Sequence, residues 1–222
     1  MAVLKPSKIM GSLKFVSLAD SVFEQLENDI LTGKYEKSQV LTEIALSKEL
    51  GISRTPIREA IKRLEQENLV RLTSRGIVVL GLSEKDIEDI YEVRCRIESL
   101  AIERCVNNIS DSDLVKLKEI IDLQEFYTLK KDAEDIKETD SKFHHFIYTN
   151  CGSYILENIL TSLHRKIQKY RKLSVQDSSR AKMAVEEHRE IYKALVLRDA
   201  KLASELACKH ITNAKASVIK KV

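Results

Sequence analysis

Three histidines and one aspartate carry the most specific chemistry in this chain. Asp140 and His144, in DSKFHHFIY, stand four residues apart, so on a helix they share one face. His188 lies in EEHREIYKAL and His210 in ACKHITNAKA. If each stretch is a helix of one bundle, three imidazoles and a carboxylate meet at its core. An N₃O set of that kind suits a divalent transition ion such as Zn²⁺, Ni²⁺ or Mn²⁺. In octahedral geometry it leaves positions open for a ligand. The bland alternative stands beside it, because a histidine on an amphipathic helix is commonly a boundary residue. His145 falls roughly 100° around the helix from His144, and His164 has no evident partner, so neither joins the set.

A second constellation is GISRTPIREAIKRL, residues 51–64. Arg54 and Arg58 share a helical face, with Ser53 and Thr55 as short polar neighbours at the helix start. The apolar residues Ile57, Ala60, Ile61 and Leu64 form a different stripe. One face can pack while the other enters a groove. Arginine reads guanine O6 and N7 bidentately in the major groove. Lys62, Arg63 and Arg71 are better placed for phosphates, which position without specifying. The alternative is a solvated charged face braced by Glu59 and Glu65.

The elements that must position these residues follow from periodicity. Apolar residues recur at helical spacing from Leu18 to Leu31, with Ser17 as cap and Gly33 as stop. Residues 34–41 read as a connector, and Thr42 caps a short helix that Gly51 ends. Pro56 sits in the first turn of the next helix, where a missing N–H costs nothing. Leu69–Thr73 and Ile77–Leu80 then read as a hairpin around Ser74, Arg75 and Gly76. Helix, helix, turn, helix, hairpin is a winged helix-turn-helix. With Arg75 and a bare Gly76, its tip can approach a groove or a phosphate. From Ser83 onward the pattern is almost wholly helical, with helices near 84–107, 112–130, 132–150, 153–174, 179–197 and 199–220. Short loops between them imply an antiparallel bundle. The fold class is therefore mostly α: a small α and hairpin domain over 17–81, then an all-α domain over 82–222, with 1–16 a flexible arm.

Composition agrees. Six glycines, two prolines and 32% charged residues favour long surface-charged helices. Formal net charge is only +3, and residues 1–80 hold twelve Lys and Arg against ten Asp and Glu. A basic domain is excluded as the signal; only a local patch can serve. The four cysteines are far apart and show no CxxC, which predicts reduced, mostly buried thiols. No apolar run approaches the about 20 residues of a membrane span. These features predict a soluble, cytoplasmic protein.

The stretch LTEIALSKELGISRTPIREAIKRLEQENLVRLTSRGIVV resembles the winged helix-turn-helix of the GntR family of bacterial transcription regulators. The resemblance implies recognition of double-stranded operator DNA by Arg54 and Arg58, with Ser53, Thr55 and Gly76 assisting. Asn68 stands where a glycine is usual, and asparagine tolerates the left-handed region. Ile44 stands where some members place a basic contact. YEVRCRIESLAIE, DSKFHHFIY, EHREIYKAL and the late His210 resemble the FCD domain of the FadR subgroup. Six helices point to its VanR-like branch. Many members bind metal through one Asp and three His, and Asp140, His144, His188 and His210 match one by one. Arg94 resembles the family's inward arginine. Tyr148 and Tyr192, each four after a histidine ligand, and Asn213, three after another, are candidates to line a ligand cavity. Their plain alternatives are core tyrosines, an Arg94–Glu98 salt bridge and a surface amide.

The expected function is a transcriptional regulator, in the commoner arrangement a repressor. It would act as a homodimer on a near-palindromic site, switched by a small organic acid at the metal and Arg94. The alternative is direct metal sensing. An enzyme would need a base beyond the ligands. Glu186, Glu187 and Glu190 flank His188, but at least two should face solvent.

Overall fold

The structure is a computed structural model that describes residues 17–168, 170–171 and 177–220. The arm expected over 1–16 lies outside the described residues, as does the end of the helix expected to reach 174. The chain divides into two compact units that meet in sequence between Gly81 and Leu82.

The first unit contains α1 (Leu18–Thr32), β1 (Val40–Leu41), α2 (Glu43–Leu50), α3 (Arg54–Gln66), β2 (Val70–Thr73) and β3 (Gly76–Val79). Local chemistry sets the boundaries. The Ala45 N–H donates to Thr42 Oγ1 at the start of α2, and Gly51 closes it at φ 66°. Asn68 adopts φ 56° between α3 and β2, where its short polar side chain makes that region accessible. Val22, Phe23 and Leu26 of α1, Ile57, Ile61 and Leu64 of α3, and Leu69 and Val79 are all buried. The stripe on α3 is thus the packing face.

The sheet corrects two expectations. Residues 34–41 are not only a connector: Val40 and Leu41 form β1, paired antiparallel to Val78 and Ile77, giving the order β1-β3-β2. Two residues are too short for an alternating pattern to register. Gly76 is not the hairpin tip. Thr73 pairs with Gly76, so Ser74 and Arg75 make the turn. A Cβ on Gly76 would lie 2.7 Å from the Leu41 carbonyl oxygen, and its φ is 127°. The glycine is required by the approach of β1 as well as by backbone geometry.

The second unit comprises α4 (Glu84–Asn108), α5 (Asp111–Lys130), α6 (Ala133–Asn150), α7 (Tyr154–Lys166), α8 (Ser178–Val196) and α9 (Ala200–Ile219). Ser83 with Asp86 and Ser110 with Asp113 form reciprocal capping boxes at α4 and α5. α4 packs along α9, and α5 packs on α6 and α8. Ile102, Leu117, Phe143, Ile147, Leu160 and Ile191 fill the core between them. Cys95 and Cys208 form a disulfide between α4 and α9, contrary to the expectation of thiols throughout. The two lie 113 residues apart, a pairing that only the helix packing reveals. Cys105 and Cys151 are free and buried, as expected. Among the described residues no helix is long and apolar enough to cross a membrane.

Gly76→Ala should destabilise the first unit by about 1–3 kcal/mol, the range for a residue forced into a disfavoured backbone region. Gly81→Ala is the control: its φ is 62°, but nothing lies within 4 Å of the added carbon. Its loss should be the smaller of the two in denaturant unfolding followed by circular dichroism.

Candidate functional sites

In the bundle the four predicted ligands come together. Asp140, His144, His188 and His210 are all buried, and each offers a ligand atom within 4.8 Å of the others. α6 supplies Asp140 and His144 from one face, α8 supplies His188 and α9 supplies His210. The His188 and His210 Nε2 atoms are 3.3 Å apart, as are those of His210 and His144. Asp140 Oδ1 lies 3.7 Å from His188 Nε2.

The opposite side of each ring explains this convergence. His144 Nδ1 donates to Glu98 Oε2 at 3.0 Å, His188 Nδ1 to Gln124 Oε1 at 2.7 Å, and His210 Nδ1 to Glu187 Oε2 at 2.6 Å. An imidazole that donates through Nδ1 presents its Nε2 lone pair when neutral. Burial drives the His188 imidazole well below its usual pKa, and burial with repulsion from His144 lowers His210 to about 4. With the rings neutral, three Nε2 lone pairs point at one another beside a carboxylate, an arrangement a cation would relieve. The donor set fits a transition ion by atom type, tautomer and burial.

Sequence reasoning missed the residues that hold the rings. Glu98 also accepts from Arg94 Nε at 2.7 Å and from the Tyr148 hydroxyl at 2.8 Å. Burial alone would raise the Glu98 carboxyl, but the Arg94 charge and the hydrogen bond from His144 hold it well below the usual range. Glu187 accepts from Arg180 Nη2 at 2.8 Å and from Asn213 Nδ2 at 2.7 Å. Glu186 and Glu190 are exposed; Glu187 is the one that turns inward. Gln124 Nε2 donates to Asp140 Oδ1 at 3.4 Å. The spacing of these residues gave no clue, because each serves a histidine 23 to 64 residues away.

Beside the cluster lies a cavity of about 30 Å³, lined among others by Tyr91, Arg94, Arg171, Arg180, His144 and His210. Arg94 is 1% exposed; it pairs with Glu98 and lines the cavity. Arg171 ion-pairs with Asp140. The Tyr91 hydroxyl and the Arg180 Nε and Nη1 are buried with no hydrogen-bond partner among the described residues. The other expected lining residues sit elsewhere. Tyr148 braces Glu98, and Asn213 braces Glu187. Tyr192 packs half-buried against the apolar core, because four residues on from His188 carries it about 40° around the helix. His164 does have neighbours: its ring lies 5.3 Å from that of His144, and its Nδ1 is 3.4 Å from the Tyr148 hydroxyl. His145 is exposed.

In the first unit, Ser53, Arg54, Thr55, Arg58, Lys62 and Arg75 are exposed. The partner of the arginine pair is Glu43, not Glu59 or Glu65. Arg54 Nη2 lies 3.0 Å from Glu43 Oε2, and Arg58 Nη2 and Nε lie 2.7 and 2.9 Å from its two oxygens. The paired guanidiniums overcome a small burial cost and lower the Glu43 carboxyl to about 2. Both arginine side chains remain more than half exposed, so α2 orients them without covering them. Lys62 stays on the open face. Arg63 instead pairs with Asp20 and lies 4.0 Å over the Phe23 ring, tying α3 to α1. Leu72 N–H donates to Glu65 Oε1 at 3.0 Å, which fixes the wing strand to α3.

Comparison with known proteins agrees with this division. Residues 18–79 match the model of bacterial regulatory proteins of the gntR family, and residues 89–213 match the FCD domain. The gluconate operon transcriptional repressor of Bacillus subtilis is 31% identical over 177 residues, 78% of this chain and 72% of that protein. The uncharacterized HTH-type transcriptional regulator YdhC of the same organism is 27% identical over 194 residues, 86% of each. The solved structure of Escherichia coli McbR/YncC superposes with a TM-score of 0.77 at 21% identity, over 93% of this chain and 99% of that one.

Two measurements follow. Glu43→Gln should free the guanidiniums and remove a negative charge from the face, so affinity for random duplex DNA rises. The ratio of specific to non-specific affinity should fall about tenfold, within the worth of one bidentate base contact. Competition binding at fixed salt reads both. In chelator-treated protein, His188 and His210 have folded pKa values below their unfolded value near 6.5. For His210 the unfolded state therefore binds more protons between pH 6.5 and about 4, His188 acts in the same direction, and stability falls as pH falls through that window. The slope should be about 1.4 kcal/mol per pH unit for each such histidine, measured by urea unfolding.

Proposed function

The chain belongs to the GntR family of bacterial transcriptional regulators and carries an FCD domain; on that premise we propose a repressor whose operator affinity is set by a small organic acid at a metal site. DNA binding and regulation come with the family. The finer reading rests on one observation: three imidazole Nε2 atoms and one carboxylate converge beside a cavity walled by Arg94 and Arg180.

In this reading Asp140, His144, His188 and His210 hold a divalent transition ion. The ion supplies two positive charges and coordination positions open to a carboxylate. Glu98, Gln124 and Glu187 fix the ring tautomers. Arg94, Arg171 and Arg180 are matched one for one by Glu98, Asp140 and Glu187. The site is thus balanced before the ion, and an anion of about two charges restores that balance after it. Arg94, the free Arg180 nitrogens and the Tyr91 hydroxyl are the groups to receive it.

The cavity has room for roughly two water-sized groups, too little for a small organic acid. An acid therefore binds a form whose wall has moved outward. That requirement couples ligand to conformation, since a ligand shifts an equilibrium only through its preference for one state. Arg94 lies on α4, the helix that follows the DNA-binding unit in sequence. Its capping box at Ser83 holds the first turn rigid, so a shift at Arg94 is delivered to the start of the helix. Two copies on a two-fold operator give the affinity that one recognition helix lacks.

Operator binding should be titrated with Zn²⁺, Ni²⁺ or Mn²⁺ alone, then with gluconate, citrate and other small acids added. Metal alone should change affinity little, and one acid class should weaken it at least tenfold. A full response to metal with no further effect of any acid would mean direct metal sensing instead. Glu187→Gln should lower metal affinity about 10–100-fold, as loss of a ligand's own hydrogen-bond partner does. Arg94→Lys, which keeps the charge beside Glu98 but loses the planar fork, should retain metal and lose the acid response.

A further inference from the structure

The DNA-facing groove contains a feature that neither guanine recognition nor phosphate contact uses. Ile44, the second residue of α2, is 68% exposed. It adjoins Glu43, whose carboxylate gathers the Arg54 and Arg58 guanidiniums. Ile44, Arg54, Arg58, Leu72, Thr73 and Gly76 line one open groove between α2, α3 and the wing. Leu72 is 48% exposed there. Single exposed aliphatic residues are ordinary on a protein surface. Two in one groove with the base-reading arginines are not placed at random with respect to the ligand.

An isoleucine side chain has no donor or acceptor, so it gains nothing from guanine O6 or N7, from cytosine N4, or from a phosphate. The major groove presents one apolar group, the C5-methyl of thymine. Building on the DNA-binding role stated above, we propose that Ile44 is a specificity residue that packs on a thymine methyl, selecting a thymine close to the guanine read by the Arg54–Arg58 pair. Glu43 makes the pairing consistent. It fixes the arginine pair to the same turn of α2 that carries Ile44, so the apolar contact and the bidentate contacts move as one body. Leu72 extends the apolar surface on the wing side.

The test needs no knowledge of the regulated genes. The full chain selects its operator from a random duplex pool, and each thymine of the selected half-site is replaced in turn by uracil, which pairs identically but lacks the methyl. At one position per half-site, uracil should weaken binding about fourfold, the transfer free energy of one buried methyl-sized group. Ile44→Ala should bind the thymine operator about as the parent binds the uracil one, and should be indifferent to uracil at that position alone. Ile44 is exposed, so the variant should unfold at the parent's temperature, which is checked first. A uracil penalty that persists unchanged in Ile44→Ala, or the absence of any penalty, overturns the proposal while leaving DNA binding intact. Failure of the parent chain to enrich any sequence would overturn the operator reading itself.

Discussion

The bundle depends on how its buried histidines are held from behind. Each imidazole of the cluster is gripped at Nδ1 by an acceptor on another helix: Glu98 on α4, Gln124 on α5 and Glu187 on α8. An uncompensated charge in such an interior would cost several kcal/mol, so the acceptors are themselves engaged. Arg94 and Tyr148 satisfy Glu98, and Arg180 and Asn213 satisfy Glu187. The result is a continuous polar network from α4 through α9 inside an otherwise apolar core. It determines where the rings point, and thereby leaves the Nε2 atoms with one another as nearest polar neighbours.

Such a network also constrains what can enter. Each guanidinium at the cavity already has a carboxylate, so a ligand that brings only negative charge would compete with Glu98, Asp140 or Glu187. In the proposed function the ion removes that competition, because it takes Asp140 as a ligand and adds positive charge. Metal and acid are then not independent signals. Either alone disturbs a balanced site, and together they preserve its balance.

Much of this was legible in the sequence, for identifiable reasons. Asp140 and His144 share a helix, so their relation follows from a period of 3.6. Arg54, Arg58 and the packing stripe of α3 were legible in the same way. Thr42, Gly51 and Ser83 act locally and announce the element boundaries. What could not be read were relations between distant segments. Glu43 lies 11 and 15 residues from Arg54 and Arg58, and only the fold brings it to α3. Glu98, Gln124 and Glu187 serve histidines on other helices. Gly76 suggested a turn because glycine usually does, whereas Leu41, an unanticipated strand residue, is what presses on it. Cys95 and Cys208 face each other because α4 and α9 are neighbours. Tyr192 went astray for another reason: four residues from a ligand is near its face, but 40° sufficed to place the ring in the core.

The two units use the same ion pair to opposite ends, and solvent is the difference. Glu43 holds Arg54 and Arg58 at the surface, where water and salt screen the pair and leave it weak. Exchanging that carboxylate for a base edge or a phosphate is therefore cheap, fast and sensitive to ionic strength, as a protein that must search DNA requires. Glu98 and Arg94 form the same bond out of contact with water. Breaking a buried pair without replacement costs about 3–5 kcal/mol, so the bundle does not rearrange through thermal exchange alone. In the proposed function it rearranges only for a partner that restores the charge it displaces. On the proposed function, a surface pair that yields readily suits the reader of DNA, and a buried pair that yields only to a matched ligand suits the part that decides when DNA is read.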